Sequence, residues 1–147
     1  MLYLDANILL RCLVDPLTDE GAEVQATATR LLAQIERNET IATFSEIVLQ
    51  QVAYFLISPS QYGMPAREAI PRLRSIIGLN GLRFSDEDYS VFIRALALLE
   101  VRPSIGLADY LVLARCEYNG WDLATFDRKL ARVAGVPVWG QSQTGDR

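Results

Sequence analysis

The sequence predicts an α/β domain in which a parallel β-sheet is covered by helices on both faces. Short apolar segments bounded by turn residues alternate along the chain with longer segments of helical period, which is the order typical of parallel sheets. The length of 147 residues suits one domain, and half of the residues are hydrophobic, so a core can be filled. We expect one domain over residues 1–140 and a flexible tail over 141–147.

The strands of this domain are expected to be short. Each is a brief apolar run that ends at a polar or turn residue, and the first two are expected to be buried. The predicted strands cover residues 2–5, 40–43, 82–84, 122–125 and 137–139.

Helices fill the intervals between the predicted strands, because apolar residues recur there with a spacing of three or four. The first three predicted helices run from Asn7 to a break at Asp15 and Pro16, over 20–37 with a stop at Asn38, and from Ser45 to about Ile57. The other four run from near Pro65 to Gly78, from Ser85 to before Pro103, over 106–118 with a stop at Gly120, and over 127–133. Pro71 is expected to kink or split the fourth of these helices. Ser85 followed by three acids is a strong helix start.

The amino-acid inventory excludes several classes of enzyme. The chain has no histidine, which removes His-based acid–base catalysis, Ser-His-Asp triads and most zinc sites. Cys12 and Cys116 lie far apart in apolar helical surroundings, so we expect free, buried thiols. No segment has the ~20 apolar residues of a membrane helix, and the first residues do not resemble a secretory signal. We therefore expect a cytoplasmic protein with no membrane partner.

The charge of the chain does not by itself indicate a nucleic-acid binder. The net charge is −4, although thirteen of the fourteen basic residues are arginine, which suits bidentate contacts to phosphate. Arg67, Arg72, Arg74 and Arg83 form a locally basic stretch. Most of the arginines are explained equally well as solvated residues of helix faces.

Four acidic residues stand at positions where a carboxylate can do chemistry. Asp5 ends the first predicted strand, and Asp127 follows the fourth. Glu46 opens an otherwise apolar helix just beyond the second strand. Asp109 has apolar neighbours at helical spacing, and an acid on such a face is costly unless it is paired or bound to a cation.

Each of these acids also has an ordinary structural explanation. Asp5 and Asp127 can cap the helices that follow them, and Glu46 can be an acid favoured by the helix dipole. Asn7 either holds a carboxylate or a water, or is itself a helix cap. Thr125 can orient a water or a phosphate, or be a plain strand residue.

Asp109 is the acid for which a functional role is favoured. The structural explanation would require a basic partner such as Arg115 or Arg128. In the predicted fold all four acids can converge on one edge of the sheet, where parallel sheets bind ligands. Because converging carboxylates repel one another, a hard cation such as Mg²⁺ or Mn²⁺ is expected among them, and such an ion supports phosphodiester hydrolysis.

The sequence resembles a PIN domain, and specifically a VapC-type toxin ribonuclease of a type II toxin–antitoxin system. The matching motifs are Leu4-Asp5-Ala6-Asn7, Ser45-Glu46-Ile47-Val48-Leu49, Leu107-Ala108-Asp109-Tyr110 and Thr125-Phe126-Asp127. Each motif is weak alone, but the four in order extend over residues 2 to about 139.

The resemblance implies a PIN-like three-layer α/β/α sandwich with a five-stranded parallel sheet. It implies an endoribonuclease assisted by Mg²⁺ or Mn²⁺, acting on RNA as a homodimer and silenced by a protein antitoxin. Asp5, Glu46, Asp109 and Asp127 would be its catalytic acids, supported by the polar residues Asn7 and Thr125. In the working mechanism Asp5, Asp109 and Asp127 hold the metal, and Glu46 is a further ligand or positions the attacking water.

Two other functions fit parts of the pattern. A phosphatase with an aspartyl nucleophile would need a second Asp two residues after Asp5, where this chain has Asn7. A non-catalytic PIN-like binding or assembly module would need no acids, whereas this chain has all four.

Overall fold

The computed structural model of the protein describes residues 1–140, so the predicted flexible tail at 141–147 lies outside the described residues. Contacts divide the chain into two units, Met1–Tyr89 and Ser90–Arg147. We refer to these as unit 1 and unit 2.

Unit 1 contains a parallel sheet of two short strands. Strand β1 (Leu2–Tyr3) pairs with β2 (Ala42–Thr43), with Leu2 opposite Ala42 and Tyr3 opposite Thr43. Ala42 also forms a parallel bridge with Leu82. The prediction that the first strand is buried is wrong for its two paired residues, which are 45% and 62% exposed, while Leu4 directly after them is 2% exposed. An apolar run this short buries only the residue that points into the core.

The helices of unit 1 begin close to their predicted positions. They are α1 (Ala6–Leu13), α2 (Asp19–Glu36), α3 (Glu46–Ile57), α4 (Ala66–Ile77) and the first residues of α5 (Asp86–Val101), within which the division of the chain falls. Helix α1 packs against α2 and α3, and α3 packs against α4. The buried residues of α1 (Ala6, Leu9, Leu10 and Leu13) recur at a spacing of three or four, as expected for one apolar face.

The ends of these helices follow local capping rules. The Thr18 hydroxyl accepts a hydrogen bond from the Gly21 amide at 2.9 Å and starts α2. Asn38, the predicted stop, has a left-handed backbone with φ of 58° just after α2. The Ser85 hydroxyl accepts from the Asp88 amide at 3.0 Å, which confirms the predicted start of α5.

Pro71 does not split α4, so this part of the prediction that Pro71 kinks or splits the helix is wrong. The helix is continuous from Ala66 to Ile77, with Pro71 inside it. Proline removes one backbone hydrogen bond, but Pro71 is exposed whereas its neighbours Ile70 and Leu73 are 0% and 2% exposed. Burial of the Ile70 and Leu73 side chains stabilises the helix at the turn where Pro71 removes a backbone hydrogen bond.

Unit 2 carries the remaining helices, α6 (Leu107–Asn119) and α7 (Arg128–Val133). Gly120 ends α6 in the left-handed region with φ of 67°, which confirms the predicted stop. Leu123 and Val138 form a parallel bridge. The Leu123 amide donates to the Pro137 carbonyl, and the Trp139 amide donates to the Leu123 carbonyl, both at 2.8 Å.

Parallel pairing thus occurs at every predicted strand position, but it involves one or two residues at each. Within residues 1–140 the hydrogen-bonded sheet has two strands, so the predicted five-stranded sheet is not confirmed. Helices separate the parallel pairs along the chain, and this is the order of an α/β fold. Cys12 is half-buried, Cys116 is buried, and both thiols are free. No helix in the described part of the chain is long and apolar enough to cross a membrane.

Candidate functional site

Asp5 lies in unit 1, and its carboxylate accepts no capping hydrogen bond from the backbone amides of α1. The residue occupies the N-cap position of α1 in an extended conformation, yet its side chain makes no capping hydrogen bond. The side-chain amide of Asn7 donates to Oδ2 of Asp5 over a long 3.4 Å. Both side chains are exposed. Helix capping therefore does not explain Asp5, and its oxygens are open to a ligand.

Glu46 lies at the same edge of the unit 1 sheet as Asp5. Strands β1 and β2 run parallel, so the residues that follow them emerge at one edge. The side chain of Ser45, at the N-cap position of α3, does not cap the helix. Its hydroxyl instead shares a 2.6 Å hydrogen bond with the hydroxyl of Tyr3. This bond fixes the start of α3, and so Glu46, to β1.

The role of Tyr3 was not apparent from the sequence. The sequence predicts that Tyr3 is an ordinary strand residue and that its partner Ser45 is a simple helix cap. The two are 42 positions apart, so their contact depends on the pairing of β1 with β2. The sequence offers one signal for this contact: Tyr3 stands two residues before the candidate acid Asp5, and Ser45 stands directly before Glu46.

Asp109 lies in unit 2, in the first turn of α6, and is half-buried. Burial raises the pKa of its carboxyl above the ordinary value, and the charge of Asp127 raises it further. Within residues 1–140 its carboxylate forms no hydrogen bond or ion pair, including with Arg115 and Arg128. The structural explanation of Asp109 as an acid paired with one of these arginines is therefore wrong.

Asp127 caps α7 with one of its two carboxylate oxygens. Oδ1 accepts hydrogen bonds from the backbone amides of Lys129 at 2.8 Å and Leu130 at 3.1 Å. Oδ2 takes no part in the cap. The Thr125 hydroxyl accepts from the Asp127 backbone amide at 3.0 Å and so holds the turn that carries this carboxylate.

The basic stretch of unit 1 is partly used for structure. Arg72 donates to the carbonyl of Leu13, the last residue of α1, at 2.6 Å. Arg83 donates to the carbonyls of Asn80 at 2.6 Å and Leu82 at 2.9 Å. These two guanidinium groups hold backbone carbonyls, so they are poor candidates for phosphate contacts.

Each unit therefore supplies two of the expected carboxylates. Within residues 1–140, no group of three or more Asp, Glu, Cys or His side chains is arranged to hold a metal ion. The donor chemistry nevertheless suits Mg²⁺ or Mn²⁺, because all four candidates are carboxylates and positive charge would offset the burial and repulsion at Asp109. The site of four carboxylates remains a prediction.

Comparison with models of known protein families gives a match over most of the chain. The model of a protein family described as the PIN domain matches residues 2–136, which is nearly the whole chain. The matched range includes Asp5, Glu46, Asp109 and Asp127. A search of the curated proteins finds no match to the chain.

Proposed function

Because the chain belongs to the PIN domain family, we propose that it is a metal-dependent endoribonuclease that hydrolyses phosphodiester bonds in RNA. PIN domains are nuclease-type domains and are generally metal-dependent ribonucleases. The active-site residues in this proposal are the acids Asp5, Glu46, Asp109 and Asp127.

One observation carries the proposal at the level of residues. Asp109 is half-buried beside a second acid, Asp127, and within the described part of the chain no basic side chain neutralises it. Such a placement costs stability, because burial and like charge both disfavour the ionised form. A bound cation removes this cost, so the arrangement is what a metal-binding nuclease requires and what a purely structural acid avoids.

The remaining residues have defined parts in the proposal. Asp5, Asp109 and Asp127 hold the ion, and Glu46 either completes the donor set or positions the attacking water. Asn7 orients the Asp5 carboxylate through its 3.4 Å hydrogen bond. Thr125 fixes the turn of Asp127 through its backbone amide.

The proposed reaction is an in-line displacement at phosphorus. A divalent ion, when bound, neutralises charge on the phosphate and lowers the pKa of a water. Water adds to phosphorus with loss of a proton to solvent, and the bond from phosphorus to the 3′-oxygen breaks. The 3′-oxygen takes up a proton, so the products carry a 5′-phosphate and a 3′-hydroxyl. Products ending in a 2′,3′-cyclic phosphate would contradict this chemistry, because they arise from attack by the ribose 2′-hydroxyl.

The test is the substitution Asp5→Asn, assayed on single-stranded RNA with Mg²⁺ or Mn²⁺. Asparagine keeps the shape of the side chain but removes its charge, so we expect cleavage to fall by at least about 100-fold while the melting temperature changes little. Asp15→Asn is the matched control, because Asp15 is an exposed acid outside the proposed site. Full metal-dependent activity in Asp5→Asn would contradict the proposed role of Asp5.

The same assay separates the nuclease from the two other functions. A non-catalytic PIN-like module would leave RNA intact in the wild-type protein at every metal concentration. A phosphatase with an aspartyl nucleophile would release inorganic phosphate from a phosphomonoester and leave a phospho-aspartate at Asp5.

More specifically, we propose that this ribonuclease is the toxin of a VapC-type toxin–antitoxin module. It acts as a homodimer and is silenced by an antitoxin encoded beside it. The support is the resemblance of the four acidic motifs. We expect a short neighbouring reading frame with a DNA-binding start, whose product co-purifies with the chain and stops cleavage. A purified chain that runs at its single mass of 16.4 kDa would contradict the homodimer.

A further inference from the structure

A pocket of about 340 Å³ lies in unit 1, and one of its lining residues is Asn7, which is hydrogen-bonded to the candidate acid Asp5. One side of the pocket is formed by Asn7, Leu10 and Arg11 of α1 and by Val14, the residue directly after that helix. The opposite wall is Phe55, near the end of α3, and the loop that follows, including Tyr62. The volume is at the small end of the range for ligand pockets, about 300–1,000 Å³, and suits one unit of a larger ligand.

The loop that carries Tyr62 is fixed by backbone hydrogen bonds. The Tyr62 amide donates to the Phe55 carbonyl at 3.1 Å, and the Gly63 amide donates to the Ser58 carbonyl at 3.0 Å. The Met64 amide donates to the Leu56 carbonyl at 2.7 Å. Gly63 has a φ of 59°, a left-handed conformation that glycine adopts without steric cost. The Tyr62 position is therefore set before any ligand arrives.

The pocket presents one cation and two aromatic rings, of which the Phe55 ring also packs edge-on against Tyr54 with ring centroids 5.8 Å apart. Arg11 is exposed, and within residues 1–140 its guanidinium makes no hydrogen bond or ion pair. The Tyr62 side chain is 53% exposed and Phe55 is 36% exposed. Proteins that bind single-stranded RNA combine a cation for the backbone with aromatic faces for unstacked bases. The pocket has both groups, together with the apolar side chains of Leu10 and Val14.

Asn7 is the residue that connects the pocket with the candidate carboxylate of Asp5. Asn7 lines the pocket and also donates a hydrogen bond to Asp5. Arg11 follows Asn7 by four residues, which is one helical turn or about 6 Å along α1. A strand with one phosphate at Asp5 therefore brings an adjacent nucleotide within reach of Arg11.

We propose that this pocket binds one unstacked nucleotide of single-stranded RNA next to the bond that is cut. The base lies against the rings of Tyr62 and Phe55, and the phosphate of that nucleotide contacts Arg11. The proposal rests on the ribonuclease function proposed above and adds a substrate subsite to it.

The test is equilibrium binding of a short, fluorescently labelled single-stranded RNA of mixed sequence, in EDTA so that no strand is cut. We expect Tyr62→Ala to weaken binding by about 5-fold to 150-fold, because it removes one stacking surface, and Tyr62→Phe to bind like the wild type. Tyr118→Ala is the matched control, because Tyr118 is 50% exposed and does not line the pocket.

Arg11 is tested by the salt dependence of the same binding. Loss of one phosphate contact should lower the slope of log Kd against log salt by about 0.7, the value for a single strand. Arg11→Gln should show this change, whereas Arg30→Gln, an exposed arginine on α2, removes the same charge and should keep the wild-type slope. The melting temperatures of all variants show whether each one folds.

The outcomes distinguish the subsite from the catalytic proposal. Wild-type affinity and slope in folded Tyr62→Ala and Arg11→Gln, in a chain that still cleaves RNA, would refute the subsite and leave the nuclease intact. Loss of affinity in both variants together with full cleavage by Asp5→Asn would support the subsite and refute the role of Asp5. A wild-type chain that neither binds nor cuts RNA would overturn both, and would indicate a different occupant such as a peptide.

Discussion

Asp109 is the candidate site residue whose carboxyl pKa is shifted by its surroundings. Its carboxyl pKa is raised in the folded protein, first by burial and then by Asp127. A raised pKa means that the fold favours the protonated form, so stability is lost as the pH rises from the ordinary value of 3.8 through the raised value. At neutral pH and without metal, the ionised Asp109 destabilises the protein.

We therefore expect Asp109→Asn to be more stable than the wild type at pH 7 in EDTA. The gain should be below about 1 kcal/mol, because the side chain is only half-buried and solvent screens its charge. It should vanish at a pH below 3.8, where Asp109 is protonated in both the folded and the unfolded chain. Urea unfolding across this pH range measures it.

Asp122→Asn is the control for this prediction, because Asp122 is an exposed acid of the same unit and should change stability little. RNA cleavage by Asp109→Asn should fall even though the protein becomes more stable. This combination is expected when a residue is needed for activity but destabilises the folded protein. A variant less stable than the wild type at pH 7 would show that the Asp109 carboxylate has a stabilising partner.

Asp127 has a structural role that is compatible with the role proposed for it in metal binding. Its Oδ1 satisfies two amides at the start of α7, a use that explains the residue without any activity. Its Oδ2 makes no capping hydrogen bond. The negative charge of the Asp127 carboxylate raises the pKa of Asp109. Asp5 occupies the same N-cap position in α1 but caps nothing.

At the scale of elements, the connection between α4 and the third strand position depends on Gly81. A Cβ at this buried residue would collide with the backbone carbonyl oxygens of Ile35 and Thr40. The Gly81 carbonyl also accepts from the Ala42 amide at 3.0 Å. The chain therefore passes the end of α2 and the start of β2 too closely for any side chain.

We expect Gly81→Ala to lower the free energy of unfolding by about 3 kcal/mol, since backbone atoms rather than a flexible side chain must move. Gly106→Ala is the control, because nothing lies within 4 Å of a Cβ at Gly106. It should change the free energy by about 0.5 kcal/mol or less. Urea unfolding of both variants compares them, and equal stabilities would contradict the close approach.

Helix α1 has separate faces for the core and for solvent. Ala6, Leu9, Leu10 and Leu13 are buried, whereas Asn7 and Arg11 are exposed. Arg72 satisfies the carbonyl of Leu13 at the end of the helix, where a cation also offsets the helix dipole. This bond holds α1 in place, and α1 in turn positions Asn7 and Arg11.

At the scale of the whole molecule, the net charge of −4 opposes the binding of RNA. In the proposed function, a divalent ion at the acidic residues would lower this repulsion at the point where a phosphate must approach. Metal and substrate binding should therefore support each other, and the affinity for RNA should depend strongly on salt.

We expect Mn²⁺ or Mg²⁺ to raise the melting temperature of the wild-type protein, because a ligand that binds only the folded state stabilises it. The gain is about 2.7 kcal/mol when the free ion exceeds its Kd by 100-fold. Thermal unfolding in millimolar metal, against EDTA at matched ionic strength, measures the shift. An unchanged wild-type protein, or an equal shift in the double variant Asp5→Asn, Asp109→Asn, would contradict a specific site.

The sequence by itself determined the order of the elements and most of their ends. Ser85, Asn38 and Gly120 mark helix ends where they were predicted, because capping depends on backbone groups within one turn. The absence of histidine also excluded His-based acid–base catalysis, and the acidic motifs indicated the family that the comparison found.

The tertiary structure decided which polar groups meet. Asp5 and Asp127 look alike in sequence, but only the packing around each shows that one carboxylate caps a helix and the other does not. The same holds for the bond between Tyr3 and Ser45, for strand lengths, and for the pocket that joins Arg11 to Tyr62. These contacts link residues distant along the chain, so their formation depends on how whole helices and strands pack, whereas helix ends depend on neighbouring residues alone.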